Sequence, residues 1–158
     1  MNKAVVINAE LCNGCGICEL VCALSTTGQW HPSLSRIKIL ADGQENLYLP
    51  LTCIHCINPP CATACLMNVI KKEPETGLTI RDKTSCIGCR ACEINCPFGA
   101  CVYDYIEEIV VNCDLCRGNP ACVQHCPTGA LNFMEIEEMM GRRREKTAHE
   151  QVIKGMKA

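Results

Sequence analysis

Large aromatic side chains are scarce in this chain of 158 residues, with two Phe, one Trp and three Tyr making up 4% of it. The length would suit one ordinary domain. Aromatic burial supplies much of an ordinary core, however, so something else must close this fold. No apolar run approaches the roughly 20 residues that span a bilayer, and any membrane association is expected through a partner, without direct insertion. The opening MNKAVVINAELC ends its apolar run at Asn8, short of a secretory leader, and no twin-arginine pair precedes Cys12. A cytoplasmic chain is therefore expected. Glycine fingerprints for dinucleotides, a P-loop and a serine nucleophile elbow are absent, as is the C-x-x-C-H of covalent haem. A formal charge of -2 suggests no nucleic-acid partner.

What the chain has is cysteine: seventeen, of which sixteen fall in four crowded runs. The first is CNGCGICELVC (Cys12, Cys15, Cys18, Cys22) and the third CIGCRACEINCP (Cys86, Cys89, Cys92, Cys96), both with C-x2-C-x2-C-x3-C spacing. The second, CIHCINPPCATAC (Cys53, Cys56, Cys61, Cys65), widens the middle gap to four residues; the fourth, CDLCRGNPACVQHCP (Cys113, Cys116, Cys122, Cys126), widens it to five. Disulfides, zinc and iron-sulfur clusters compete for such a pattern. The disulfide reading loses its oxidising compartment. Structural zinc sites combine two separated knuckles, whereas three close cysteines with a fourth, repeated four times, suit cubane clusters. A tight loop of three cysteines can wrap three corners of a cubane with its amides facing inward, and Gly14, Gly16 and Gly88 suit such turns. Four oxidised clusters on sixteen thiolates would take the net charge to about -10, which backbone N–H groups pointing at sulfur must help to stabilise.

The fourth corner must come from elsewhere. In two-cluster ferredoxins the last cysteine of a run ligates the other cluster, often with Pro after it. Pro97 follows Cys96 and Pro127 follows Cys126, where proline can start a short helix. The linker LMNVIKKEPETGLTIRDKTS reads as a short helix, a strand, a turn at Pro74 to Gly77 and a second strand at Leu78 to Ile80. Residues 53–96 then form one ferredoxin-like unit. The outer runs are left to pair with each other, with VVIN near residue 5 and LNF near residue 131 as strands, giving a nested repeat.

These four ordered motifs, with CIGCRACEINCPFGA and CDLCRGNPACVQHCPTGAL, resemble the four-cluster ferredoxin-type electron-transfer subunits of molybdenum and tungsten oxidoreductases, hydrogenases and carbon monoxide dehydrogenase. The resemblance covers roughly residues 4 to 134. It implies an α+β fold of tandem two-cluster ferredoxin-like units: an outer unit of residues 1–52 and 97–134, an inner unit of 53–96 inserted in it, and a C-terminal helical tail of 135–158. Carried over residue by residue, cluster one would use Cys12, Cys15, Cys18 and Cys126, and cluster two Cys22, Cys113, Cys116 and Cys122. Cluster three would use Cys53, Cys56, Cys61 and Cys96, and cluster four Cys65, Cys86, Cys89 and Cys92. Leu66 stands where the family usually has Pro after the second run. SLSRIKI after the first run and the short tail resemble most the small iron-sulfur subunit of a tungsten aldehyde oxidoreductase.

The remaining residues read more plainly. Cys101 is expected as a small buried apolar side chain, His55 and His125 as packing or hydrogen-bonding groups, and Trp30 and His31 as local core. The tail MEIEEMMGRRREKTAHEQVIKGMKA reads as a helix with a break at Gly141. Met139, Met140, Val152, Ile153 and Met156 beside Arg142, Arg143 and Arg144 would let it fold back or dock onto a partner or another copy of the chain.

With its cysteines spent on clusters and no catalytic pocket in sight, the chain is expected to be non-catalytic. It would move single electrons between a tungsten or molybdenum catalytic subunit and a redox partner such as a flavoprotein. The alternatives are a free-standing ferredoxin, a subunit of a hydrogenase, formate dehydrogenase or CO dehydrogenase, and an end-to-end array of copies joined by the tail.

Overall fold

The computed structural model describes residues 3–43, 47–141, 144, 145 and 147. In chain order its elements are β1 (Lys3–Ile7), α1 (Ile17–Thr27), β2 (Ile37–Asp42), β3 (Leu47–Thr52), α2 (Pro60–Thr63), β4 (Ile70–Lys72), β5 (Thr79–Arg81), α3 (Ala91–Ile94), β6 (Val102–Asp104), β7 (Ile109–Val111), α4 (Ala121–Gln124) and β8 (Leu131–Glu135). The strands form antiparallel pairs, β1 with β8, β2 with β3, β4 with β5 and β6 with β7. The β1–β8 register runs from Lys3 opposite Glu135 to Ile7 opposite Leu131, so VVIN and LNF meet as the two ends of the outer segment. A two-stranded ribbon has little stability of its own, and each of these depends on what lies between it and the helices.

Helix placement follows the cysteine spacing. Each run ends in C-x3-C, and in each case a helical segment carries the third cysteine: Cys18 in α1, Cys61 in α2, Cys92 in α3 and Cys122 in α4. In α1 the fourth cysteine, Cys22, follows four residues on, on the same side and about 6 Å further along the axis, whereas Cys65, Cys96 and Cys126 lie two residues past the ends of α2, α3 and α4. Only α1 is long, running from Gly16 at φ 74° to Gly28 at φ 74°, with Cys18, Cys22 and Ala23 on its buried side. Helix α1 packs on α4, and α2 on α3.

The short helices expected after the runs lie before their ends instead. Pro97 and Pro127 open turns in which Gly99 N–H donates to Cys96 O at 3.2 Å and Gly129 N–H to Cys126 O at 3.4 Å. Proline at the second turn position and glycine at the fourth are the residues such a turn favours. The linker after Cys65 has the same turn rather than a helix: Asn68 N–H donates to Cys65 O at 3.1 Å. Leu66 replaces the proline there, and Asn68, at φ 52°, replaces the glycine. The two linker strands form as expected, Ile70 opposite Arg81 and Lys72 opposite Thr79.

Two buried clusters make the core, and half of their side chains are cysteine. Cys18, Cys22 and Cys122 pack with Ile37 and Leu131; Cys92 and Cys101 pack with Val69, Ile70 and Val110. Trp30 takes no part and is 66% exposed, which corrects the expectation of local core. His31 is exposed too, bonded to Ser33 Oγ at 2.7 Å and set edge-on to the Tyr105 ring at 6.0 Å. In the tail, residues 136 to 141 are helical, Gly141 included. The rest of the tail expectation falls on residues 142, 143, 146 and 148–158, outside the described residues.

Candidate metal centre

All seventeen cysteines are unpaired. Cys12, Cys15, Cys18 and Cys126 line one hollow, floored by Ile39, Pro50 and Leu131. Cys65, Cys86, Cys89 and Cys92 line another, under Val69 and Val110. Cys122 lies within electrostatic reach of Cys113, Cys22 and Cys116, and of Cys18 from the first hollow, and Cys53 within that of Cys61, Cys96 and Cys56. Each group takes cysteines from two runs, because the third and fourth cysteines of each C-x3-C helix face different groups. Among the described residues, no three His, Cys, Asp or Glu side chains close on one point as ligands of a single ion do.

Burial favours neutral thiols in the cages, pushing Cys18, Cys113 and Cys122 up to about 12 and Cys53 to about 11. Backbone donors work the other way. Arg36 N–H points at Cys22 Sγ at 3.4 Å, Ala100 N–H at Cys96 Sγ at 3.3 Å and Leu115 N–H at Cys113 Sγ at 3.4 Å. Sulfur donors in fours, amides aimed at them and dry surroundings suit a cubane, which needs thiolates and hydrogen bonds to sulfur. The fourth run achieves this with backbone strain: Leu115, Cys116 and Arg117 are all left-handed, at φ 55°, 47° and 56°. Each such residue costs about 1–2 kcal/mol. Asp114 Oδ1 pins the turn by accepting from Cys116 N–H at 3.1 Å.

The groups stand in a chain of contacts. Helices α1 and α4 join the first to the second. Asn112 joins the second to the third: its Nδ2 donates to Cys113 O at 3.0 Å and to Thr79 O at 2.9 Å, and lies 4.0 Å from Cys53 Sγ. Helices α2 and α3 join the third to the fourth. Cys15 in the first group and Cys89 in the fourth are exposed, while Cys22, Cys113 and Cys122 of the second are buried.

Both motif histidines act as hydrogen-bonding groups. His55 Nδ1 accepts from Thr79 N–H at 3.0 Å, and burial, helped by the Lys72 charge and opposed by Asp114, brings its pKa down to about 4. His125 is exposed, with Nδ1 3.0 Å from Ala121 O. Cys101 is buried as expected, but it is not simply apolar. It packs with Cys92 in a buried cluster against which Cys61 also packs, and the proximity of the three thiols lowers Cys61 and Cys92 and raises Cys101. The Arg81 guanidinium reaches the same place, 3.3 Å from Cys92 Sγ and 4.0 Å from Cys101 Sγ.

Cysteine spacing points to none of Arg36, Arg81 and Asn112. A signal for Arg81 existed in TIR: Thr79 and Arg81 share one face of β5, but Ile80 between them made the opposite face look like the buried one.

Short ribbons packed around cysteine-bearing helices, with amides aimed at sulfur, are the build of an iron-sulfur protein. The chain belongs to the 4Fe-4S dicluster domain family, whose model matches residues 44–136. It is 35% identical over 115 residues to the polyferredoxin-like subunit of an aliphatic sulfonate oxidoreductase from Pyrococcus furiosus, covering 73% of this chain and 66% of that protein. It is 30% identical over 132 residues to a subunit of the sulfite dehydrogenase of Allochromatium vinosum, covering 72% and 55%. The chain thus spans between half and two thirds of these relatives' length. A solved structure, the active site complex BamBC of benzoyl coenzyme A reductase with benzoyl-CoA, matches at 23% identity and a TM-score of 0.48, covering 92% of this chain and 89% of that one. A likeness of that degree carries no argument about activity.

Proposed function

We propose that this chain is a non-catalytic electron-transfer subunit of a multi-subunit oxidoreductase and holds four 4Fe-4S clusters. The observation that carries the reading is that two hollows are each lined by four cysteines from two runs, Cys12, Cys15 and Cys18 with Cys126, and Cys65 with Cys86, Cys89 and Cys92. On this reading Cys12, Cys15, Cys18 and Cys126 hold cluster one, and Cys22, Cys113, Cys116 and Cys122 cluster two. Cys53, Cys56, Cys61 and Cys96 hold cluster three, and Cys65, Cys86, Cys89 and Cys92 cluster four. Residues 1–52 with 97–134 then form the outer unit and 53–96 the inner one. The clusters, when bound, supply one-electron chemistry between the 2+ and 1+ states.

The protein's part is to position and insulate. Leu131, Ile39, Val69 and Val110 exclude water from the cages, the amides of Arg36, Ala100 and Leu115 stabilise thiolate charge, and Asn112 fixes the second group against the third. Exposed Cys15 and Cys89 make the first and fourth groups the places where electrons enter and leave. A reducing compartment keeps such thiols available, and we place the chain in the cytoplasm. The favoured partner is a tungsten aldehyde oxidoreductase, on the resemblance of SLSRIKI, with a flavoprotein as a further redox partner. A relative that is the polyferredoxin-like subunit of an oxidoreductase is in keeping with a catalytic partner.

Metal analysis of the protein purified anaerobically with its native partners tests this. About sixteen iron per chain with co-purifying tungsten is expected. Molybdenum or nickel in its place would reassign the partner, iron without a second subunit would favour a diffusing ferredoxin, and a lone chain that oxidised aldehydes would refute the non-catalytic reading.

A further inference from the structure

We infer that Arg81 and Cys101 form a polar bridge between the ligand sulfurs of clusters three and four and raise the potentials of both; the inference rests on the ligand groups proposed above. Arg81 Nη1 donates to Cys92 Sγ at 3.3 Å and Nη2 reaches Cys101 Sγ at 4.0 Å. Cys101, 4% exposed, shares a buried cluster with Cys92, and Cys61 packs against that cluster. Cys61 belongs to the third group and Cys92 to the fourth, so the guanidinium contacts the fourth group and Cys101, and Cys101 lies in the cluster where the two groups pack together. Both groups have four cysteines without Cys101, which leaves it free to donate.

A purely structural role does not account for the choice of residues. An apolar side chain would fill the space under Val110 without bringing a charge out of water, and burying a cation is costly unless its charge is used. The cost is visible at Arg81 Nε, which is buried and has no partner. The charge faces sulfur, with Cys92, Cys101 and Cys86 as its electrostatic neighbours. Reduction adds negative charge to a cluster and its thiolates, so a fixed cation and an S–H donor at those sulfurs stabilise the reduced form more than the oxidised one. Arginine, which stays protonated, supplies that charge at every working pH.

The test is an EPR-monitored redox titration, with iron counts, of the full chain purified anaerobically as wild type, Arg81→Gln, Arg81→Lys and Cys101→Ala. In Arg81→Gln the reduced-to-oxidised ratio of cluster four at fixed ambient potential should fall about tenfold, or about 59 mV for one electron. Clusters one and two should stay unchanged, and Arg81→Lys should restore most of the loss. In Cys101→Ala two of the four potentials should fall. Full iron with four wild-type potentials in both Arg81→Gln and Cys101→Ala overturns the bridge, as does an Arg81→Gln shift that lysine fails to restore. Should Arg81→Gln lose iron, Cys101→Ala decides alone, and unchanged potentials there overturn the proposal. Wild-type protein with far fewer than about sixteen iron would instead sink the ligand assignment, before any variant is compared.

Discussion

Arg36 Nη1 donates to Asp114 Oδ2 at 2.7 Å across an ion pair whose two ends live in different solvents: the arginine side chain is 8% exposed and the aspartate 52%. The same residue's N–H points at Cys22 Sγ. One arginine just before β2 thereby ties α1 to the left-handed turn of the fourth run.

Removing one partner of a fully buried pair costs about 3–5 kcal/mol, and solvent on the aspartate side reduces this to about 1–2 kcal/mol for Asp114→Ala. Arg36→Met, which removes the cation and keeps most of the volume, should cost less, because no charge is left stranded. Thermal melts of the two iron-loaded variants check the order; a larger loss in Arg36→Met would contradict it.

Gly88 lies between Ile87 and Cys89 at φ 65°, and a Cβ there would sit 2.3 Å from the Glu108 carbonyl oxygen. Gly16, at φ 74°, has nothing within 4 Å of the same position. Gly16→Ala should therefore cost only conformational strain of about 1–2 kcal/mol and keep its iron. Gly88→Ala should push the third run off its cage and lose about four iron per chain. Iron and sulfide counts on the two purified variants distinguish a steric cause from a merely conformational one.

Cys122 and Cys126 are four residues apart but face different cages. EPR spectra should show Cys126→Ala and Cys12→Ala losing or altering the same signal, and Cys122→Ala and Cys22→Ala a different one. Matching signals from Cys122→Ala and Cys126→Ala would mean that the fourth run closes on a single cluster.

Asp82 leads into the third run, accepting from Thr84 N–H at 3.0 Å, Thr84 Oγ1 at 2.6 Å and Ser85 Oγ at 2.8 Å. The Thr84 and Ser85 hydrogen bonds hold its carboxyl below the usual range. A depressed folded pKa means that the turn is fully supported above the ordinary carboxylate value of about 3.9 and loses support as the pH falls through the lower folded value. Amide exchange at Thr84, corrected for intrinsic rates, should follow that course in wild type and be flat in Asp82→Asn.

The arrangement of the site was more legible than its surroundings. Cysteine spacing is local chemistry, so the four runs, the strands at VVIN and LNF and the hairpin after Cys65 could be read directly. Proline starts turns as well as helices, so Pro97 and Pro127 by themselves suggest helices on the wrong side, and only the C-x3-C spacing, read as one helical turn, separates the two. Hydrophobicity alone puts Trp30 in the core, a rule that fails where cysteine fills the interior.

From the sequence alone came the number of runs and the spacing of their cysteines, since these depend on residues a few positions apart. The fold alone decided which atoms meet across the chain: Arg36 with Asp114, Asn112 with Cys53 and Thr79, and Arg81 with Cys92 and Cys101. These contacts join residues 11 to 78 positions apart, with no periodicity to announce them. They are fixed by how short ribbons, too weak to stand alone, pack around the cysteine cages.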